Sequence, residues 1–372
     1  MNKGAMLFLV WLSVNLAYGQ RFVSGRVADR STRTPIAYVN ITLSDGSGTA
    51  TNENGWFRIA IAGNVDNLKV KISCIGYHSK IFYADSLLKS GEEVHPVYLE
   101  PYIAQLSEVE IQSTRLTPKE IVTEAIRAIP INYIQQPFNL EYYSRVSTID
   151  SIKTINLIET VSKCYRQGYI DGGQNFSQVY EKRMSGDSVL QKWDKKRKMN
   201  FFIFEMLPSF DIFVTDMIGV GKKFNYTVFN PEYLNKLEFK VTETTILDTA
   251  PVIVIEYDEK NFTKEPHRTK LYGALYISAS DLAIVKHVRR IGKNYLEIMY
   301  KKQEGYYYPY FFKTMYPWNP DKNDKLRLKV VHEGYIKKIT TQNVQVIGRM
   351  KEGWHLEDVP YRKEYWDKFY PK

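Results

Sequence analysis

The sequence predicts a mainly β protein in two domains: an N-terminal β-sandwich, then a larger, curved antiparallel sheet with one helix packed on it. Three observations support this. The chain has 372 residues, enough for two cores. It holds 28 Tyr and 18 Phe, and aromatic side chains pack well on a pleated surface. Short runs of alternating apolar and polar residues recur along it, separated by Gly, Asn, Asp and Pro turns.

Residues 1–19 read as an export signal. Lys3 gives a positive start, AMLFLVWLSV (5–14) is a compact apolar core, and Ala17-Tyr18-Gly19 supplies small residues for cleavage. The run is shorter than the ~20 residues that cross a bilayer. Cleavage would leave Gln20 first, with no Cys there for a lipid anchor. No later stretch reads as a transmembrane helix. The expectation is an exported protein of the periplasm, the periplasmic face of the outer membrane or the cell surface.

The formal charge is +10, and Lys3 leaves with the signal. The densest basic run is Lys192-Trp193-Asp194-Lys195-Lys196-Arg197-Lys198. In an exported chain this is a solvated loop or a contact for an acidic surface, and nucleic acid is not an expected partner. Cys74 and Cys164 are the two cysteines; two buried free thiols are expected.

The sandwich is placed at residues 20–100. Ala37, Val39, Ile41 and Leu43 share one face of a run; Phe57, Ile59 and Ile61 alternate with Arg58 and Ala60; Leu68, Val70, Ile72 and Cys74 alternate with Lys69, Lys71 and Ser73. Period two means half-buried strands. Asn54-Gly55 predicts a type I′ hairpin turn. An oxygen-rich calcium loop fits less well, because Asn52 and Asn54 are neutral and Arg58 follows closely. Trp56 and Phe57 are neighbours on a strand, so Phe57 joins the core and Trp56 faces outward, a candidate recognition anchor.

Gly25-Arg26-Val27, Asp29, Pro35-Ile36, Val39-Asn40-Ile41, Gly48-Thr49, Thr51 to Phe57 and Ile75-Gly76-Tyr77 follow the order seen in the carboxypeptidase-like regulatory domain. The chain resembles that family over about residues 20–100. The resemblance implies a transthyretin-like (Ig-like), seven-stranded Greek-key sandwich without catalytic activity. The family occurs beside zinc carboxypeptidases and, in Bacteroidota, as an N-terminal extension of outer-membrane proteins that include TonB-dependent transporters.

Residues 101–116 form the linker, with the acidic alternating stretch Leu106-Ser107-Glu108-Val109-Glu110-Ile111. A helix follows: Thr117 is the N-cap, Pro118 fits the first turn, Glu120 completes a capping box, and Ile121, Val122, Ala125, Ile126 and Ile129 form an apolar face. It belongs to a domain placed at 117–360, with a tail at 361–372. Strands are expected at 237–245, 252–257, 270–277, 283–289, 295–301, 306–315, 325–333 and 345–346. Residues 199–235 are expected to close one end of the sheet. NLIETVSKCY (156–165), YEKRMSGD (180–187), LYGALYISASDLAIVKHVRR (271–290) and YYYPYFFKTMYP (306–317) resemble an uncharacterised Bacteroidota domain that precedes an outer-membrane barrel. No barrel-length segment precedes Lys372, so membrane insertion is not expected. The strand-turn-strand pattern also resembles, at the level of fold alone, half-barrel lipoprotein carriers of the periplasm.

The sequence contains no H-E-x-x-H, G-x-S-x-G, P-loop or G-x-G-x-x-G. Six His are scattered; His287 and His332 read as surface positions. Glu297, Glu333 and Glu357 are the carboxylates that could converge as a hydrolase requires. No catalytic residue, metal ligand or cofactor is assigned. Trp56, Trp193, Tyr306, Tyr308, Tyr310 and Trp318 are the candidate surface-recognition residues, because strand 306–318 carries aromatics on both faces. The favoured function is a non-enzymatic envelope scaffold or binding module that contacts protein, glycan or lipid. A periplasmic carrier of a hydrophobic ligand, with Phe201, Phe202, Phe204 or Phe210 at its mouth, is the alternative; an unrecognised hydrolase is the third.

Overall fold

The computed structural model describes residues 21–61, 65–89, 94–102, 116–150, 153–169, 175–186, 216, 218, 227–260, 262, 269–318, 328–348 and 356–367. The fold is mainly β, as expected.

Seven strands build the N-terminal unit. One sheet has the order β4 (Trp56–Ile61), β1 (Arg21–Asp29), β7 (His95–Leu99); the other has the order β3 (Gly48–Ala50), β2 (Asn40–Leu43), β5 (Lys69–Ser73), β6 (Lys80–Tyr83). Strands β1 and β7 run parallel, and the other pairs are antiparallel. A short helix α1 (Ala84–Lys89) precedes β7. The alternating residues meet between the sheets: Val23, Val27, Ile41, Phe57, Ile59, Val70 and Ile72 are buried in one cluster. The run predicted from Ala37 becomes strand only at Asn40, because Tyr38 is held at φ 61°.

The Asn54-Gly55 turn differs from the type I′ hairpin. Only Gly55 has positive φ, at 76°. The Asn52 carboxamide oxygen accepts from the Asn54 and Trp56 amides at 2.9 and 3.0 Å, folding the turn from within. The flanking strands β3 and β4 lie in different sheets, so the turn carries the chain from one layer to the other. A Cβ on Gly55 would stand 2.4 Å from the Val27 carbonyl, so close approach selects glycine here as much as φ does.

The second unit is one ten-stranded antiparallel sheet. A meander runs through β11 (Leu237–Leu247), β12 (Ala250–Glu259), β13 (Leu271–Ser278), β14 (Ile284–Ile291), β15 (Asn294–Gln303), β16 (Tyr306–Trp318) and β17 (Leu328–Thr340). Strand β17 then pairs with β8 (Phe138–Asp150), which continues into β9 (Lys153–Arg166) and β10 (Asn175–Gly186). Register shifts interrupt six of these pairings, and such bulges bend a sheet. Residues 345–346, expected as a strand, are not in one.

Helix α2 (Pro118–Arg127) starts as expected: the Thr117 side chain caps Glu120, and the Glu120 carboxylate returns to the Thr117 amide at 2.6 Å. With α3 (Ile129–Asn132) it lays Ile121, Val122, Ala125 and Ile129 on one face of the sheet, against Leu237, Ile255, Leu275, Tyr308 and Phe312. Helix α4 (Pro231–Leu234) adds Tyr233 and Leu234.

Three interior strand glycines stand directly opposite aromatic residues. Gly25 faces Phe57, Gly273 faces Tyr257 and Gly334 faces Phe312. In each case the ring covers the glycine: a Cβ on Gly334 would come within 2.0 Å of the Phe312 ring. Residues 361–372 were expected as a tail, yet α5 (Lys363–Asp367) packs on the sheet, with Trp366 buried beside Tyr143 and under Arg183.

Candidate binding site

The outer face of the large sheet, opposite α2, carries two parallel rows. Arg183, Glu159, Arg145, Glu333, Lys313 and Glu297 stand in register on β10, β9, β8, β17, β16 and β15, alternating in sign across six strands. Two residues along, Tyr143, Tyr335, Phe311 and Met299 form an apolar row. Cross-strand neighbours of opposite charge stabilise a sheet. Here the contacts are close: Arg183 meets Glu159 at 2.6 Å, Arg145 meets Glu333 at 2.7 Å and Lys313 meets Glu333 at 2.8 Å. Glu297 is held by Lys286 and the Tyr295 hydroxyl, each at 2.6 Å. Burial alone would raise the Glu333 carboxyl, but Arg145 and Lys313 outweigh it and hold the group below the ordinary range.

The sandwich sits on these rows. Tyr38 stacks on Phe311 with ring centroids 4.4 Å apart, and its hydroxyl donates to Glu333 at 2.8 Å. Lys71 meets Asp248 at 2.6 Å, and the Gly76 amide donates to the Ile246 carbonyl at 2.8 Å. Strand 306–318 therefore has both faces covered. Tyr308 lies in the helix-covered core and Tyr310 beneath the sandwich, at 1% and 6% exposure, so neither offers a surface. Tyr306 is 39% exposed at the start of β16. Trp318 ends that strand, and Trp193 lies outside the described residues.

Trp56 is 42% exposed and stands at the rim of a groove of about 440 Å³ between the two units. The outer face of β4 forms one wall. Trp56 lies under Arg26, with the guanidinium 5.5 Å from the ring centroid, and Arg58 covers Phe22 at 4.0 Å. Burial lowers the Arg58 guanidinium, and its Nε has no hydrogen-bond partner among the described residues. The opposite wall is Tyr143, Tyr335 and Lys337 with Arg362 and Tyr365 at α5. Lys337 reaches Glu141 at 3.2 Å, and Arg362 is paired with the buried Glu181. The groove thus presents aromatic faces interleaved with cations. Alternation along β4 could have placed Arg58 beside Trp56. Nothing in the sequence brings Tyr143, Tyr335 and Tyr365 to the same groove, because strand register across the sheet decides that.

The remaining candidates fall elsewhere. His287 and His332, read as surface positions, are fully buried. His287 bonds Tyr257 at 2.9 Å, and burial with Arg289 nearby pushes it down to about 3. Glu297 and Glu333 do share a row, two strands apart, each neutralised by a cation; the Glu357 side chain lies outside the described residues. Among the described residues, no three His, Cys, Asp or Glu gather as a metal site. Cys74 and Cys164 are free thiols; Cys164 is buried as expected, whereas Cys74 is only half-buried. Residues 201–210, the proposed mouth of a carrier cavity, also lie outside the described residues. No described helix is long and apolar enough to cross a membrane.

Residues 23–111, which span the N-terminal sandwich, match the family model of the CarboxypepD_reg-like domain. No curated protein matches the chain. Similar solved structures include the Pseudomonas aeruginosa MucA/MucB complex, at 8% identity over 59% of this chain and 93% of that one, with a TM-score of 0.19. Another is a protein of unknown function from Bacteroides fragilis, at 8% identity over 86% of this chain and 96% of that one, with a TM-score of 0.18. Neither likeness bears on function.

Proposed function

We propose that the protein is an exported, non-enzymatic binding module of the cell envelope, and that the groove beside Trp56 is its ligand site. The observation that carries this is the interleaving of Trp56, Phe22 and Tyr365 with Arg58 and Lys337 in an open cleft. Sugar rings stack on such aromatic faces, and guanidinium groups pair with carboxylates. An acidic glycan is the ligand class that uses both features. The signal-like sequence at 1–19 and the resemblance to outer-membrane extensions support the envelope reading.

The test is a titration of the full chain with neutral and uronic-acid oligosaccharides, alongside fractionation of the source cell. Saturable binding of the acidic sugars is expected, weakened by Trp56→Ala and by Arg58→Ala. Binding indifferent to both substitutions, or recovery of the protein from cytosol alone, would overturn the assignment.

A further inference from the structure

A second cleft, of about 350 Å³, lies between the β2–β5 face of the sandwich and the hairpin ends of the large sheet. It shares no lining residue with the Trp56 groove. Lys301, on β15, is its unusual member. The residue is 8% exposed, and among the described residues its ammonium has one hydrogen-bond partner, the Thr42 hydroxyl at 3.4 Å. Gly48 crowds it from β3: a Cβ there would stand 3.2 Å from Nζ.

The neighbouring lysines are already paired. Lys71 on β5 pairs with Asp248 at the β11–β12 turn, at 2.6 Å. Lys302 pairs with Asp281 at the β13–β14 turn, at 2.9 Å, and Asp281 also accepts from Tyr307 at 3.1 Å. The Tyr310 hydroxyl is turned to the Met299 sulfur. Asp45 attracts Lys301 but is engaged at its own turn, accepting from the Ser47 amide and hydroxyl at 2.9 and 2.6 Å. Of the three lysines here, Lys301 is the one without a carboxylate in contact among the described residues, and it is the most buried. A buried charge is stable when an opposite charge and hydrogen bonds meet it. The lining supplies such donors in Thr42, Ser73, Ser278 and Ser280.

We infer that this cleft binds a small organic monocarboxylate, its carboxylate seated on Lys301 and its body in the space between the two domains. One buried ammonium without a carboxylate in contact calls for one negative charge, and the volume falls within the range of small-molecule sites. Burial lowers the free Lys301 amine to about 8, so the empty site is mainly cationic at pH 7 and loses that charge as the pH rises above 8, while a bound carboxylate favours the charged form.

The experiment is calorimetric titration of the full chain with sodium acetate, sodium benzoate and inorganic phosphate. Saturable carboxylate binding is expected at pH 7, about tenfold or more weaker at pH 9.5, where the ammonium is lost. Lys301→Met should weaken binding by about tenfold or more while the thermal midpoint does not fall, because a buried charge is removed. Lys301→Arg should retain binding, and Lys293→Met, on the exposed β14–β15 turn, serves as the unaffected control. Failure of both carboxylates to bind, unchanged affinity in Lys301→Met, or binding of phosphate alone would each overturn the proposal. Failure of the oligosaccharide titration does not touch it.

Discussion

The Tyr38 hydroxyl donates to Glu333 at 2.8 Å and accepts from Lys313 at 2.6 Å, so one side chain of the sandwich completes a charge cluster on the sheet. Tyr38 holds this place with φ at 61°, a conformation that costs a bulky residue about 1–3 kcal/mol and persists where surrounding contacts fix it. Tyr38→Phe keeps the stacking on Phe311 and removes the bond to a charged acceptor. It should cost about 1.5–3 kcal/mol, read from denaturant unfolding. Glu333→Ala should cost more, about 3–5 kcal/mol, because Arg145 and Lys313 would lose their shared anion. A double-mutant cycle should show the two changes to be coupled; strict additivity would disprove the contact's role.

Gly334 lies under the ring of Phe312, its partner in register. Gly334→Ala has to displace a ring that is fully buried. Overpacking of this kind costs about 1–3 kcal/mol or more, and thermal unfolding should show it. Gly305→Ala is the comparison: nothing lies within 4 Å of its Cβ position, and only its φ of 89° opposes the change. About 1 kcal/mol is expected there.

His287 is held neutral by burial and by Arg289, with its titration pushed from 6.5 down to about 3. The unfolded chain therefore binds a proton at higher pH than the folded one. The stability this confers is complete above pH 6.5 and falls as the pH drops from there towards 3, by up to about 1.4 kcal/mol per unit. His287→Phe should flatten that part of the stability profile between pH 6.5 and 4. An unchanged slope would mean that the imidazole reaches solvent.

The thiols should be silent. Burial pushes Cys74 up to about 11 and Cys164 up to about 12, and it is the thiolate that reacts. A disulfide-exchange reagent at pH 8 should label neither residue in the native protein and both after unfolding. Rapid native labelling, or a mass two hydrogens short under non-reducing conditions, would contradict the assignment of two unreactive free thiols.

Much of the architecture was visible in local pattern. The sandwich followed from period-two runs such as Phe57, Ile59 and Ile61, and the α2 start followed from Thr117 and Glu120, since alternation and capping act between near neighbours. The site was harder to see. Phe57 and Trp56 were sorted by parity, but the aromatics at 306–318 carry no mark to say that a separate domain covers one side. The Asn52 side chain bonds that shape the Gly55 turn replaced a turn type inferred from a dipeptide. The row from Arg183 to Glu297 joins residues far apart in sequence, from β8–β10 and from β15–β17, and only the register of six strands aligns it.

The pairing of β8 with β17 joins strands separated by most of the domain's length. Loop closure over that separation must precede any reward from the contact, so the sheet has high contact order and folds slowly. During synthesis β8 and the growing meander each present a bare hydrogen-bonding edge until residues beyond 328 arrive. That interval, more than the finished fold, is when the chain needs shielding from self-association.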